Sequence, residues 1–367
     1  MNTKNSFHKL CLTTIFILFL STAGGGCANI PSRNQKPVSR TGFAFDTVVT
    51  ITIYDSSKEY VLDHCLALCK DYDALFSATQ KDSDIWKINH SNGQPTNISY
   101  ETAVLLQAAL QYCDQSQGAL DLTLRPIADE WDISGQMNQA SSETDYEYYI
   151  PTEQTLSGLL KHVNYKNVLI TDANGTETGY DAILSNDIAY FVTLKDPESA
   201  IDLGFIAKGY IADQLKTYLL SSGVENAIIS LGGNILLVGA KPDGSPFNVG
   251  IQKPFGAVSE VLTTLEKSDS SVVSSGCYER YFITNSDEDK NDKDRTIYHH
   301  IFDTATGYPV QNDLLGVTIL SDSSMKGDAL STYCYILGLE KGLDYIRSLE
   351  DVEAVFVTKD YDIITSY

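Results

Sequence analysis

An α+β fold, one domain of interleaved helices and strands, follows from three observations on this 367-residue chain. Its 22 Tyr against 13 Phe and 2 Trp, among many β-branched residues, suit a pleated, half-buried surface better than a helical bundle. Period-two runs alternate along the chain with segments whose apolar residues recur every three or four positions. No proline-rich linker follows residue 40, so helices and strands belong to one unit. Hydrophobic residues make up 43% and charged residues 20%, which is enough to bury a core and incompatible with intrinsic disorder. The formal charge of −22, from 48 acidic and 26 basic residues, argues against a nucleic-acid partner, because such a surface repels phosphate backbones.

Residues 1–27 read as an export signal. Lys4 and Lys9 precede an apolar stretch from Leu10 to Leu20, and small residues from Ser21 to Gly26 end at Cys27. The stretch is too short to span a bilayer. Its end is similar to a lipobox, with Gly24 where an aliphatic residue is usual, and it makes Cys27 the expected lipid anchor on the extracytoplasmic face of the cell membrane. Residues 28–41, with Pro31 and Pro37, read as a flexible tether, and residues 42–367 as the domain. Loss of residues 1–27 removes two Lys and no acid, which takes the charge from −22 to −24. A tethered domain of that charge stands off an anionic membrane. Cys65, Cys69, Cys113, Cys277 and Cys334 then remain, no C-x-x-C occurs among them, and core thiols are expected.

Within the domain, Thr47–Tyr54 alternates as a strand does. Val61, Cys65, Cys69, Tyr72 and Phe76 predict a helix over 59–76, and a similar pattern predicts another over 101–113. Residues 134–165 lack pattern until Pro151 opens a short helix, so they read as a surface excursion. Strands are predicted at 168–171, 189–193, 227–231, 235–238, 272–273, 317–320 and 354–358, with helices at 206–221 and 326–337. The run Asn285–Arg295 offers alternating carboxylates but lacks the central Gly and closing Glu of a calcium loop, and reads as a solvated hairpin loop.

Chemistry concentrates in three segments. Ile206, Tyr210, Ile211, Leu215 and Leu219 make a helix with one buried stripe. Gly204 and Gly209 flank its first turn and let a ligand approach the backbone, and Lys208 stands where free N–H groups favour an anion. Leu231–Asn234 is a second backbone-exposing turn. The segment Tyr298–Pro309 carries His299 and His300, which alternation in an extended run sends to opposite faces. Lys326–Thr332 carries Asp328 and Thr332 one helical turn apart, a carboxylate and a hydroxyl suited to a hard cation such as Mg²⁺. Taken singly, these features also fit a turn, a solvated lysine, or a helix N-terminal carboxylate with a back-bonding Thr. Together they suggest phosphate binding.

Eight motifs stand in the order found in the ApbE family, the FAD:protein FMN transferases. They are Phe43–Thr47, Phe76-Ser77 with Asp82-Ser83 and Asn89, Gly118–Pro126 with Trp131, Asp202–Tyr210, Leu231–Asn234, Ser274–Arg280, His299–Pro309, and the Asp328/Thr332 helix. The chain resembles that family from residue 42 onward. The resemblance implies a single T-fold-like α+β domain of mixed sheets flanked by helices. It also implies FAD as substrate, Mg²⁺ as cofactor, transfer of FMN to a Thr hydroxyl of another protein, and release of AMP. By the same resemblance Asp328, Thr332 and the Ala207 carbonyl hold the metal, while Phe45, Ala119, Leu120, Asp121, Asp202 and Lys208 lie against FAD. His300, with Asp328, does the chemistry as a base whose pKa stands near the working pH. Departures are Phe45-Asp46 for the usual Met-Gly, Cys277 for a common Asp and Thr304 for a common Pro. The chain contains no Ser/Thr-Gly-Ala-Thr string, so the acceptor is expected to be a separate exported flavoprotein that carries one. The same site with water as acceptor would make an FAD diphosphatase. A flavin-binding lipoprotein without turnover would have no use for Asp328, Thr332 and His300 together.

Overall fold

A computed structural model of the chain describes residues 36–143, 146–257, 259–284 and 295–367. The leader, Cys27 and the first part of the expected tether lie outside the described residues, as does the acidic run 285–294. The described chain opens with the hairpin β1 (Val38–Ala44) and β2 (Thr47–Ile53), followed by α1 (Tyr60–Phe76), α2 (Asp84–Asn89), β3 (Thr96–Ile98), α3 (Tyr100–Gln115), α4 (Arg125–Trp131), α5 (Ile133–Ala140) and α6 (Glu153–Leu159). β4 (Val168–Asp172) and β5 (Tyr190–Leu194) precede α7 (Ala207–Ser221). Then come β6 (Ala227–Leu231), β7 (Asn234–Val238), β8 (Phe247–Gln252), β9 (Val261–Lys267), β10 (Ser271–Gly276), β11 (Tyr281–Ile283), β12 (Ile297–His299) and β13 (Leu314–Ser321). The chain ends with α8 (Ser324–Leu337), α9 (Leu339–Arg347), β14 (Glu353–Thr358) and β15 (Ile363–Thr365).

Eight strands form the main sheet in the order β1-β2-β6-β7-β10-β13-β14-β15, each neighbouring pair antiparallel. Alternation divides its core. Ile229, Leu231, Leu236 and Val238 pack under α1, α3 and α7, whereas Ile228, Leu237, Val272 and Leu320 face Phe247, Val249 and Ile251 of β8. With both faces covered, β13 is buried along its whole length. No helix of the described residues is long and apolar enough to cross a membrane.

The fold class is α+β, and the predicted helices over 59–76, 101–113, 206–221 and 326–337 lie within a residue or two of α1, α3, α7 and α8. Two assignments need correction. The expected tether 28–41 overlaps β1, whose Val38 pairs with Ile53 and whose Thr41 pairs with Thr50. Its inward set is Val38, Arg40, Gly42 and Ala44 rather than an apolar row. Gly42 admits Leu66 of α1, and Arg40 binds Glu59 and Asp63. The expected excursion 134–165 begins inside α5, and Trp131, Ile133 and Leu156 form a core of their own with Phe282 and Phe302. The five cysteines are buried thiols, as expected.

α7 and α8 cross at Gly209. A Cβ there would stand 2.6 Å from Met325 Cα and press on the Ser324 carbonyl, both backbone atoms that cannot swing away. Gly209→Ala should therefore cost about 1–3 kcal/mol in urea unfolding, the usual size of overpacking. An unchanged midpoint and slope would show that the helices are free to part.

Candidate active site

α7 and α8 cap each other. The residue before α7, Ile206, offers no side-chain cap, and the amide of Gly209 instead donates to Asp328 Oδ2 of α8 at 2.9 Å. In return Asp213 of α7 receives the first amides of α8, with Ser324 N at 2.8 Å on Oδ1 and Met325 N at 3.0 Å on Oδ2. The Ser323 hydroxyl adds a third bond to Asp213 at 2.7 Å. Each carboxylate thus sits at the positive end of the other helix. Burial still pushes both carboxyls above the ordinary range, and the amide bonds and nearby lysines pull them part of the way back.

Asp328 is 3% exposed and makes a single side-chain hydrogen bond. Its Oδ1 faces Lys208 Nζ at 3.9 Å. One turn on, Thr332 Oγ1 lies 3.4 Å from the Asp328 carbonyl and 3.3 Å from Ser275 Oγ of β10. After β10 the chain supplies Glu279 and Arg280, and across from them stands His300, whose Nδ1 is 3.3 Å from the Arg280 carbonyl. Both Glu279 and His300 reach solvent at the cleft mouth and have protein on their other sides. That surrounding raises the Glu279 carboxyl to about 7, Asp328 adding to the rise while Lys208 and Arg280 oppose it. The same surrounding, then the Arg280 charge, lowers His300 to about 3. The expected pKa near the working pH is therefore not what the cleft provides. His300 is held neutral, and is a weaker base than a free imidazole.

His299 points the other way, as alternation requires. It is 1% exposed, its Nε2 donates to the Val310 carbonyl at 2.9 Å and its Nδ1 accepts from Ile301 N at 3.2 Å. It is a core residue.

The other sequence-predicted residues join this cleft by traceable contacts. Asp202 accepts from Gly204 N at 2.8 Å, its own amide donates to the Leu122 carbonyl at 2.8 Å, and Asn89 pairs with both backbone groups of Ile201. The 118–125 and 200–208 segments are therefore zipped together. Leu120 is core. Asp121 turns inward, with one oxygen taking Thr123 N and Oγ1 and the other Tyr165 N. Its carboxylate braces the loop, and Ala119 stays partly exposed. On this side a polar cavity of about 560 Å³ opens between Gly118, Asp121, Tyr165, Lys166 and Thr304. Phe45 and Asp46 form the β1–β2 turn, both at positive φ (56° and 55°), a conformation costly for residues with a Cβ. That turn lies at the sheet end where Thr47 meets Gly232 and Gly233 meets Glu279.

Sequence reasoning missed Glu279 and Asp213. Glu279 sits inside the Ser274–Arg280 motif, which is a usable signal. Asp213 has none, because its role depends on where α8 lands.

Among the described residues no cluster of three or more His, Cys, Asp or Glu could hold a metal by itself. The donor set around Asp328 does fit a hard cation that brings its own oxygens: one free carboxylate oxygen, the Thr332 hydroxyl, and the second lone pair of the Ala207 carbonyl, whose first belongs to the helix. Lys208 and the start of α7 favour an anion beside it.

Residues 45–356 match the ApbE family. The chain is 31% identical over 334 residues to a Klebsiella pneumoniae protein named FAD:protein FMN transferase, covering 91% of this chain and 93% of that one. It is 28% identical over 338 residues to a Treponema pallidum protein of the same name, covering 89% and 85%. Its fold aligns with the ApbE protein of Thermotoga maritima at a TM-score of 0.74 and 27% identity, over 90% of this chain and 96% of that one. With the flavin transferase ApbE of Vibrio cholerae the fold likeness has a TM-score of 0.70 at 24% identity, over the same shares. Fold, cleft and relatives define the class as a transferase. The chain belongs to the ApbE family.

Burial pushes His299 down to about 4, whereas an unfolded His takes its proton near pH 6.5. Between those values the unfolded state binds the extra proton, so stability falls as pH drops, by at most about 1.4 kcal/mol per pH unit. The unfolding free energy of wild type minus that of His299→Gln should shrink on acidification below about pH 6.5 and stay flat above it. A difference independent of pH would mean that His299 takes up its proton in the folded protein.

Proposed function

We propose that this chain is an FAD:protein FMN transferase, which joins the FMN half of FAD to a Thr hydroxyl of an exported acceptor protein and releases AMP, with Mg²⁺ at Asp328. The observation that carries this reading is Asp328 itself, a buried carboxylate with one oxygen left unbonded, beside Lys208 and the start of α7. The names of the relatives support the flavin, and the oxygen donors support the metal.

The chain's own groups divide the work. Lys208 and the positive end of α7 oppose the diphosphate charge, so FAD can enter a protein whose surface is otherwise acidic. Bound between Asp328, Thr332 and the Ala207 carbonyl, Mg²⁺ would supply positive charge against the diphosphate and the departing AMP. His300 is neutral across physiological pH and can accept the acceptor's hydroxyl proton on a ring nitrogen. The hydroxyl oxygen attacks the phosphorus that stays with FMN, the bond from that phosphorus to the bridging oxygen breaks, and AMP leaves with the electron pair.

The reading extends to an exported lipoprotein held through Cys27 on the outer face of the membrane, as the residue pattern of the leader supports, acting on acceptors with a Ser/Thr-Gly-Ala-Thr string. Cys27→Ser should release the domain from the membrane fraction or leave the leader attached. Recovery of wild-type protein in the cytosol with Met1 intact would overturn the localisation.

The decisive measurement is the mass of such an acceptor after incubation with FAD and Mg²⁺, where a gain of one FMN is expected. Free FMN and AMP with an unmodified acceptor would make the protein a diphosphatase instead. Asp328→Asn keeps an oxygen for the Gly209 amide and removes the charge, so it should fold and lose Mg²⁺-dependent transfer. Wild-type turnover in that variant would disprove the metal assignment. His300→Asn should cut transfer by roughly 10²-fold or more with FAD affinity within a few-fold. Lost affinity at unchanged saturated turnover would make His300 a binding residue.

A further inference from the structure

We propose that Arg125 is a positioning residue of this cleft, holding Asp202, and through Asp202 the turn that aims Lys208, in the arrangement that receives FAD. The inference rests on the FAD reading above and goes beyond it, since no motif singled out a role for this arginine.

Arg125 is the first residue of α4, and its position there is unfavourable on local grounds, because the helix dipole opposes a cation in the first turn. Asp129, one turn on, offsets this with an ion pair at 2.6 Å, but Asp129 is 58% exposed and such surface pairs contribute little. The second partner lies across the cleft floor. Arg125 Nη1 reaches Asp202 Oδ2 at 3.3 Å, with the arginine 22% and the aspartate 35% exposed.

From Asp202 a polar chain continues to the candidate metal ligand. Its other oxygen takes Gly204 N at 2.8 Å, the Gly204 carbonyl accepts from Lys208 Nζ at 3.5 Å, and Lys208 Nζ faces Asp328 Oδ1 at 3.9 Å. A Cβ at Gly204 would lie 2.9 Å from Asp202 Oδ1, so a larger residue there would push the carboxylate out of this arrangement. The carboxylate, the turn and the lysine thus share one arrangement, and Arg125 anchors its far end. Without Arg125 the half-exposed Asp202 can rotate toward solvent, which frees the Gly204 turn and the lysine with it.

The test is a double-mutant cycle on FAD affinity, measured by calorimetric titration of the full chain with FAD and Mg²⁺, alongside transfer kinetics. Arg125→Ala should weaken FAD binding about tenfold and leave transfer at saturating FAD within about twofold. Arg125→Lys, which keeps one ion pair, should recover most of the affinity. If Arg125 acts through Asp202, the Arg125→Ala/Asp202→Asn protein should bind no worse than Asp202→Asn alone, since coupled residues do not add. Losses that multiply in the double variant, or wild-type affinity in Arg125→Ala, overturn the proposal. Should the alanine variant not fold, Arg125→Gln, which keeps the stem and a donor without the charge, takes its place in the cycle. Failure of the wild-type chain to bind FAD at all would overturn the proposed function and this inference with it, whereas additive losses overturn the inference alone.

Discussion

The exchange of carboxylate caps between α7 and α8 is the constraint on which the rest of the site depends. A helix leaves its first amides without partners. Each of these helices begins over the main sheet, close to the other, where water has little access, so the missing acceptors come from the neighbour. Asp213 serves α8 with three bonds and Asp328 serves α7 with one. The arrangement works only if the helices touch, which is why Gly209 stands at the crossing and why Gly327, facing Val273 and Ser321, lets α8 settle on the sheet.

Close packing then fixes the electrostatics. A chain of charge −22 needs a local reversal of sign to accept an anion. Lys208 at the start of α7 and Arg280 after β10 provide one where two segments distant in sequence converge. The surrounding protein makes two titratable neighbours diverge, Glu279 upward to about 7 against the pull of Lys208 and Arg280, and His300 downward to about 3 with Arg280 adding to the fall. A group held neutral at physiological pH and a carboxyl brought close to neutral pH share a single cleft, the pattern expected where protons are moved.

Much of this was legible in the sequence because it is periodic or local. The stripe of Ile211, Leu215 and Leu219 predicts α7, the four-residue spacing predicts that Asp328 and Thr332 share a face, and alternation predicts that His299 and His300 part company. What stayed hidden depends on where elements land. β1 carries no apolar row because Arg40 and Gly42 meet α1 rather than a core. Asp213 looks like any surface acid of an amphipathic helix until α8 arrives. His300 looks like an ordinary imidazole until the protein packed around it, and then Arg280, are found beside it. Asp121, which the resemblance sets against the flavin, spends its oxygens on Thr123 and Tyr165, a use that only the folded loop reveals.

Buried carboxylates sort themselves by how completely their oxygens are used. Asp84, Asp121 and Asp328 are the buried acids among the described residues, at 6%, 7% and 3% exposure. Asp84 takes Ser99 N and the Thr102 hydroxyl on one oxygen, with Lys87 at 3.6 Å from the other, and Asp121 takes three donors. Both brace turns, and the donors they receive compensate for their burial. Asp328 is the most buried of the three and takes only Gly209 N. Burying an acid with its acceptor capacity unused is unfavourable unless something else completes it. Lys208 at 3.9 Å does so only in part. One donor at Asp328, against two at Asp84 and three at Asp121, rather than its presence on a helix, is the ground for reading it as the acid that a ligand completes.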